Sequence, residues 1–273
     1  MIDGTVGMGG HAEAMLEASG EGVCLLGLDV DPEALARAGA RLARFGPRVR
    51  LARASFRDLE PVARAEGVRE ARAVLLDLGV SSYQIEESGR GFSFQRDEPL
   101  DMRLDPDAPG TAAGLLNALP EAELARLIFE YGDERHARRI ARAIVRRRPL
   151  RSTADLVAAV RSAEPARARG RGRAGAIHVA TRTFQAVRMA VNDEPGALTE
   201  ALPRAARLLG VGGRVGVIAF HSGEDRIVKR TFRTLGAAGF APVEPSPLTP
   251  GDDEVRANAR ARSAKLRVLE RVP

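Results

Sequence analysis

Near the start of the chain, four short clusters carry side chains suited to holding a nucleoside or a charged group. The stretch Asp3–His11, DGTVGMGGH, is rich in glycine and joins the tail of a strand to the start of a helix. Glycines let the backbone approach a ligand closely, and a helix N-terminus offers unpaired N–H groups. A tight structural turn is the competing reading. The spacing is not G-x-G-x-x-G, so a dinucleotide fingerprint fits poorly. Asp29 follows 19 residues after Gly10 and closes the second apolar run. An acid there accepts from both hydroxyls of a ribose, which implies a nucleoside and suits adenosylmethionine and NAD alike. Asp31 is close by, but Asp31-Pro32-Glu33 reads as an N-cap, a proline at the first helical position and an acid in the first turn. Phe56, after the third strand, can cover an adenine or serve as a core aromatic, the commoner fate of a lone Phe. Asp58 reads as the cap of the next helix. Asp77 ends the run Val74-Leu75-Leu76. A carboxylate at the carboxyl end of a central parallel strand faces the ligand crevice.

The elements that must position these residues alternate as βαβ units. The pattern predicts helix over His11–Ala18, strand over Val23–Leu28, helix from Asp31 to about Phe45, strand over Arg48–Ala52, helix over Arg57–Glu66 and strand over Ala73–Leu78. Residues 80–107 are then rich in Gly, Ser, Arg and Asp. Helical periods follow at Thr111–Leu119, Glu121–Tyr131, Glu134–Arg147 and Thr153–Ala163, with no strand between them. A low-complexity Arg/Gly/Ala stretch, Arg167–Gly175, comes next, and proteolysis is expected to cut first near Arg167–Arg173. Alternation resumes with helices at Thr183–Val191 and Pro195–Leu209, a turn at Gly212-Gly213, a strand at Arg214–Phe220 and a helix at Asp225–Leu235. Phe240–Val243 and Lys265–Arg271 suit a closing antiparallel pair. The expected architecture is thus α/β, a Rossmann-like sheet built from residues 1–82 and 179–273, interrupted by a helical subdomain of residues 83–178. Only Met1 and Ile2 precede the glycine turn as apolar strand residues, so the natural start is expected further upstream.

Composition bounds the setting. The chain has 273 residues, 44% of them hydrophobic, and a formal net charge of +6. No apolar run approaches the roughly 20 residues needed to cross a bilayer, and no charged-then-apolar leader opens the chain. Cys24 is the only cysteine, which excludes internal disulfides and multi-cysteine metal sites. Its place in an apolar run predicts a buried, inert thiol. The expected location is the cytoplasm. Lys229 and Lys265 are the only lysines, so the positive charge is arginine. A GC-rich genome and a polyanionic partner both account for that, because arginine pairs bidentately with phosphate and stacks on bases.

Longer segments make the chain recognisable. DLGVSS (Asp77–Ser82), RGFSFQRDEPLDMR (Arg90–Arg103), YGDERHARRIARAI (Tyr131–Ile144), ATRTFQAVRMAVNDE (Ala180–Glu194), FHSGEDRIVKR (Phe220–Arg230) and NARARSAKLR (Asn258–Arg267) occur in this order. Together they closely resemble the bacterial 16S ribosomal RNA cytosine-N4 methyltransferases, over essentially the whole chain. The resemblance implies an S-adenosylmethionine-binding Rossmann-like domain interrupted by a helical substrate-recognition domain. It also implies that Gly9-Gly10-His11, Asp29, Phe56, Asp77 and Gln84 hold the cofactor; Gln84 enters on the resemblance alone. Three positions depart from the family pattern: Val179 and Ala259 stand where proline is usual, and Gly223 where leucine is usual. The segment that usually precedes the first strand is absent.

The implied substrate is a cytosine of 16S ribosomal RNA within a small-subunit particle, with neither DNA nor membrane as partner. Methyl transfer from a sulfonium is an in-line displacement, so catalysis is chiefly positioning. The cytosine amino group is a poor nucleophile, and an acceptor on one N–H helps it pyramidalise. Asp77, Ser81 and Ser82 are the candidates, turn-forming hydrogen bonds being an equal reading for the serines. His11 is expected to orient the cofactor or its loop, while substrate contact and packing are both open for His221. The four histidines show no metal-ligand spacing, so no catalytic metal is expected. Arg146-Arg147-Arg148, Arg167–Arg173 and Arg260–Lys265 are candidate phosphate contacts or solvated charge runs. A nicotinamide-dependent oxidoreductase would need a glycine fingerprint that the sequence lacks. An RNA-binding assembly protein with a degenerate cofactor pocket is the other alternative.

Overall fold

The computed structural model describes residues 1–163 and 178–273 and divides into two compact units. One comprises Met1–Ser81 with Pro195–Pro273, the other Ser82–Glu194. The stretch Arg167–Gly175 lies outside the described residues.

The first unit is built on a seven-stranded sheet. Its strands are β1 (Ile2–Asp3), β2 (Leu25–Asp29), β3 (Val49–Arg53), β4 (Ala71–Asp77), β5 (Leu209–Ala219), β6 (Phe240–Pro242) and β7 (Lys265–Arg271). The order is β3-β2-β1-β4-β5-β7-β6, with β1 to β5 parallel and β7 antiparallel to both β5 and β6. β1 is short but central: Asp3 is in register with Gly27 of β2 and Leu75 of β4. A core of Ile2, Leu26, Leu28, Val74, Leu76, Val215 and Val217 fills one layer of the sheet. Continuous apolar strands of this kind are what burial on both faces demands.

Helices in chain order are α1 (Gly10–Glu17), α2 (Pro32–Leu42), α3 (Leu59–Ala65), α4 (Ser82–Glu86), α5 (Ala112–Ala118), α6 (Glu121–Gly132), α7 (Ala137–Arg146), α8 (Thr153–Ser162), α9 (Thr181–Val191), α10 (Glu194–Leu208), α11 (Ser222–Gly236) and α12 (Asp252–Ala257). Asp31 caps α2, its carboxylate accepting from the Glu33 N–H at 3.1 Å, with Pro32 at the first helical position. No described helix is long and apolar enough to cross a membrane.

The helical unit has its own core. On α7, Ala137, Ile140, Ala141 and Ile144 form an inward stripe at helical spacing and join Leu124 and Ile128 of α6. The polar stretch before α5 is held by specific bonds. Asn192 accepts from the Leu104 N–H and donates to the Met102 carbonyl, and the Thr153 hydroxyl bridges Arg96 and Glu98.

Two expectations shift. The second boundary falls after Glu194, not at 178/179, because Phe184 and Val187 of α9 pack into the helical core. Gly212-Gly213 is no turn between elements; it lies inside β5, where the pairing with β4 jumps from Leu209 opposite Ala71 to Arg214 opposite Ala73. The extra residues form a bulge, and Gly212 takes φ +75° within it.

Candidate functional site

Three carboxylates stand at or near the carboxyl ends of neighbouring parallel strands: Asp3 on β1, Asp29 on β2 and Asp77 on β4. The glycine turn between β1 and α1 winds among them. Asp29 binds it directly, one oxygen accepting from the Gly7 N–H at 2.9 Å and the other from the Asp31 N–H at 2.9 Å. Each carboxylate oxygen accepts more than one bond, so both retain capacity for a ligand hydroxyl. Burial raises the Asp29 pKa against the pull of those backbone N–H groups.

Asp77 is tied to the same turn. Its backbone N–H donates to the Thr5 hydroxyl at 2.6 Å, and its Oδ2 lies 3.4 Å from Nδ1 of His11 on α1. Its Oδ1 is buried and has no hydrogen-bond partner. Burial raises its pKa, the His11 ring opposes that, and the Glu224 carboxylate adds to it.

Asp3 reads in the sequence as no more than a strand tail, yet it is 1% exposed. Its Oδ1 accepts from the Thr5 N–H at 3.1 Å, while its Oδ2 is buried without a partner. Burial pushes its carboxyl up to about 7. A lone acid in a two-residue strand has no periodic signal; its place at the head of the glycine turn is the one clue the sequence offers.

The turn suits a close ligand. Gly9 caps α1 at φ +83°, in the left-handed region, and a Cβ there would meet Leu42 at 3.3 Å. A Cβ on Gly4 would run into Leu76 at 2.5 Å and meet the Cβ of Phe56 at 3.4 Å. Phe56, half-buried beside that core, therefore stands next to the start of the turn. Gly10 and His11 open α1 itself, and the His11 side chain is 53% exposed.

S-adenosylmethionine fits this donor set on observations internal to the sheet unit. It carries a ribose, an adenine, an ammonium and a sulfonium. Asp29 offers acceptors for the ribose, Phe56 a face for the adenine, and Asp3 and Asp77 each a buried oxygen without a partner for positive charge. An unpartnered buried carboxylate oxygen is costly unless a donor or cation meets it.

Other residues take places the sequence did not indicate. Cys24 is exposed, because the buried part of β2 begins only at Leu25. Asp58 makes no side-chain cap; its carboxylate lies 3.5 Å from Arg204, and Ser55 caps the short turn instead. His221 is the N-cap of α11, its Nδ1 accepting from the Glu224 N–H at 3.3 Å while Glu224 accepts from the Phe220 N–H at 2.9 Å. That is a helix-capping role. Arg148 donates to the Leu116 and Leu119 carbonyls, and Lys265 pairs with Asp225 at 3.4 Å, so neither is an open phosphate contact. Ser81 closes the first stretch of the sheet unit. Ser82 and Gln84 belong to α4 of the helical unit, where Gln84 is buried.

Comparisons with known proteins agree with this chemistry. The model of the MraW methylase family matches residues 1–272. The chain is 50% identical to the ribosomal RNA small subunit methyltransferase H of Thermotoga neapolitana, over 100% of this chain and 89% of that one. It is 49% identical to the protein of that name from Symbiobacterium thermophilum, over 98% and 89%. The protein of that name from Heliobacterium modesticaldum is 48% identical over 99% and 92%. The chain belongs to the MraW methylase family.

Proposed function

We propose that this protein transfers a methyl group from S-adenosylmethionine to the N4 amino group of a cytosine in the decoding region of 16S ribosomal RNA. The observation that carries the cofactor half is the trio Asp3, Asp29 and Asp77 around one glycine turn, two of them with unpartnered buried oxygens. Membership of the family carries the substrate half.

The residues divide the work. Asp29 accepts from the ribose hydroxyls, and Phe56 covers the adenine. Gly9, Gly10 and His11 shape the turn and the start of α1, and Gln84 of the helical unit is a further cofactor contact by the family pattern. Once bound, the cofactor supplies an electrophilic methyl on a sulfonium, which needs an aligned nucleophile and no strong base. Asp77 is the first candidate to accept an N–H of the cytosine amino group as it pyramidalises, since its Oδ1 has no partner in the protein. Ser81 and Ser82 are the other candidates. The target base leaves its stack to reach the methyl group.

The helical unit serves substrate recognition. The substrate is a structured small-subunit particle in the cytoplasm, because a decoding-centre cytosine is defined by its surroundings more than by its sequence. Nucleoside mass spectrometry of ribosomal RNA from a strain lacking the gene tests the reading: one N4-methylated cytidine should vanish from 16S RNA and return on complementation. An unchanged nucleoside profile would overturn it.

A further inference from the structure

Opposite its buried stripe, α7 carries a second one. Arg138, Arg139 and Arg142, with Arg135 in the turn before the helix, recur at helical spacing and are exposed. They line a cavity of about 780 Å³ together with Arg126 and Phe129 of α6. Arg142 pairs with Glu121 at 3.3 Å. Among the described residues, Arg126, Arg135, Arg138 and Arg139 have no acid partner. Phe129 is 58% exposed, and of the nine phenylalanines it is the one that is more exposed than half-buried. A helical unit that buries Phe184 and half-buries Phe92 and Phe94 has no packing reason to leave Phe129 in water.

Like charges crowded on one helix face repel one another. A polyanion relieves that repulsion, and an aromatic face on the rim adds a platform for a flat group. A free phosphate would use the arginines and not the ring, and an acidic peptide likewise. Unpaired RNA uses both, since its phosphates track cationic grooves while its splayed bases stack on aromatic side chains. A volume of about 780 Å³ lies within the range of roughly 300–1,000 Å³ that small ligands occupy, so a nucleotide fits.

We infer that the cavity between α6 and α7 is a docking groove for a single-stranded segment of the RNA substrate, with a base stacked on Phe129 and phosphates held by Arg126, Arg135, Arg138 and Arg139. This rests on the ribosomal RNA reading above and names where in the helical unit that substrate is gripped.

The chain has no tryptophan, so Phe129→Trp in the full chain installs a single reporter on the rim. Three probes are titrated: a single-stranded RNA, an abasic strand of equal length, and polyglutamate of equal charge. The RNA should quench the emission, the abasic strand should bind with little quenching, and polyglutamate should compete poorly. Phe129→Ala should weaken RNA binding about 5- to 100-fold, as removal of one stacking platform implies. Arg138→Gln with Arg139→Gln should lower the salt slope of binding by about 1.4, at roughly 0.7 for each phosphate no longer neutralised. Binding of S-adenosylhomocysteine should be unchanged in all variants, as a folded sheet unit requires. Equal quenching by the abasic strand or by polyglutamate would overturn the groove, as would wild-type RNA affinity in both loss variants. Quenching of the Phe129→Trp chain by RNA, with no methyl transfer from the wild-type chain to small-subunit particles, would support the groove and sink the methyltransferase reading, so the two failures are distinguishable.

Discussion

Nδ1 of His11 lies 3.4 Å from Oδ2 of Asp77, linking the first turn of α1 to the end of β4 across the glycine turn. The other oxygen of Asp77 is buried and unpartnered. Asp77→Asn keeps the shape and removes the charge. It should weaken S-adenosylmethionine binding by about 1.5–3 kcal/mol, the worth of a hydrogen bond to a charged group. Folded stability should not fall, because a costly buried charge is removed. Titration calorimetry beside thermal melting checks both; unchanged affinity would count against Asp77 as a cofactor contact.

Asp29 and Asp31 are near neighbours with different work. Asp31→Ala removes the α2 cap and should lower stability by about 1 kcal/mol with little effect on the cofactor. Asp29→Ala should weaken cofactor binding by roughly 1.5–3 kcal/mol or more, since the Gly7 and Asp31 N–H groups lose their acceptor along with the ribose. Calorimetric titration of both variants decides, and the reverse pattern would exchange the assignments.

Asp3 makes stability depend on pH. Its folded pKa of about 7 stands above its ordinary value of 3.8, so between them the folded chain holds a proton that the unfolded chain has lost. The stability this supplies is fully present below 3.8 and is lost as pH rises through about 7. Denaturant titrations of the cofactor-free protein should show that loss. Asp3→Asn should flatten the profile by up to about 1.4 kcal/mol per pH unit in that window. Superimposable profiles would show that Asp3 stays ionised in the fold.

Two glycines of the helical unit should respond with opposite sign to the same substitution. At Gly132, a Cβ would sit 2.5 Å from the Arg182 carbonyl oxygen of α9. Gly132→Ala should destabilise by about 1–3 kcal/mol through overpacking. At Gly114 the nearest atom is the Thr111 hydroxyl at 3.6 Å, so Gly114→Ala should stabilise by about 0.5–1 kcal/mol. Melting temperatures read both; a stabilised Gly132→Ala would mean that α6 and α9 pack less closely than described.

The βαβ alternation was legible because β2 and the second half of β4 are continuous apolar runs and α2 carries its own cap. Asp31-Pro32-Glu33 marked the start of α2, and the antiparallel pairing of Phe240–Pro242 with Lys265–Arg271 followed from two short runs near the end of the chain. Other features left no local trace. Gly212-Gly213 looks the same in sequence whether it ends an element or bulges inside β5. The apolar stripe of α9 announces burial but not which core receives it. Cys24 sits one residue before the buried part of β2, a distinction hydropathy cannot draw. In the site, Asp29 and Asp77 were legible from strand ends, whereas Asp3 and the α7 arginines needed three dimensions: one for its burial, the others for the cavity they share with Phe129.

Transfer of labelled methyl, followed by nucleoside mass spectrometry, tests the central claim most directly. Small-subunit particles, free 16S RNA and a short oligonucleotide are incubated with the chain and labelled S-adenosylmethionine. The label should appear as N4-methylcytidine, most strongly in the particle. Label at a cytosine ring carbon or a ribose hydroxyl would contradict the cytosine-N4 activity, and equal labelling of all three substrates would contradict recognition of a structured particle.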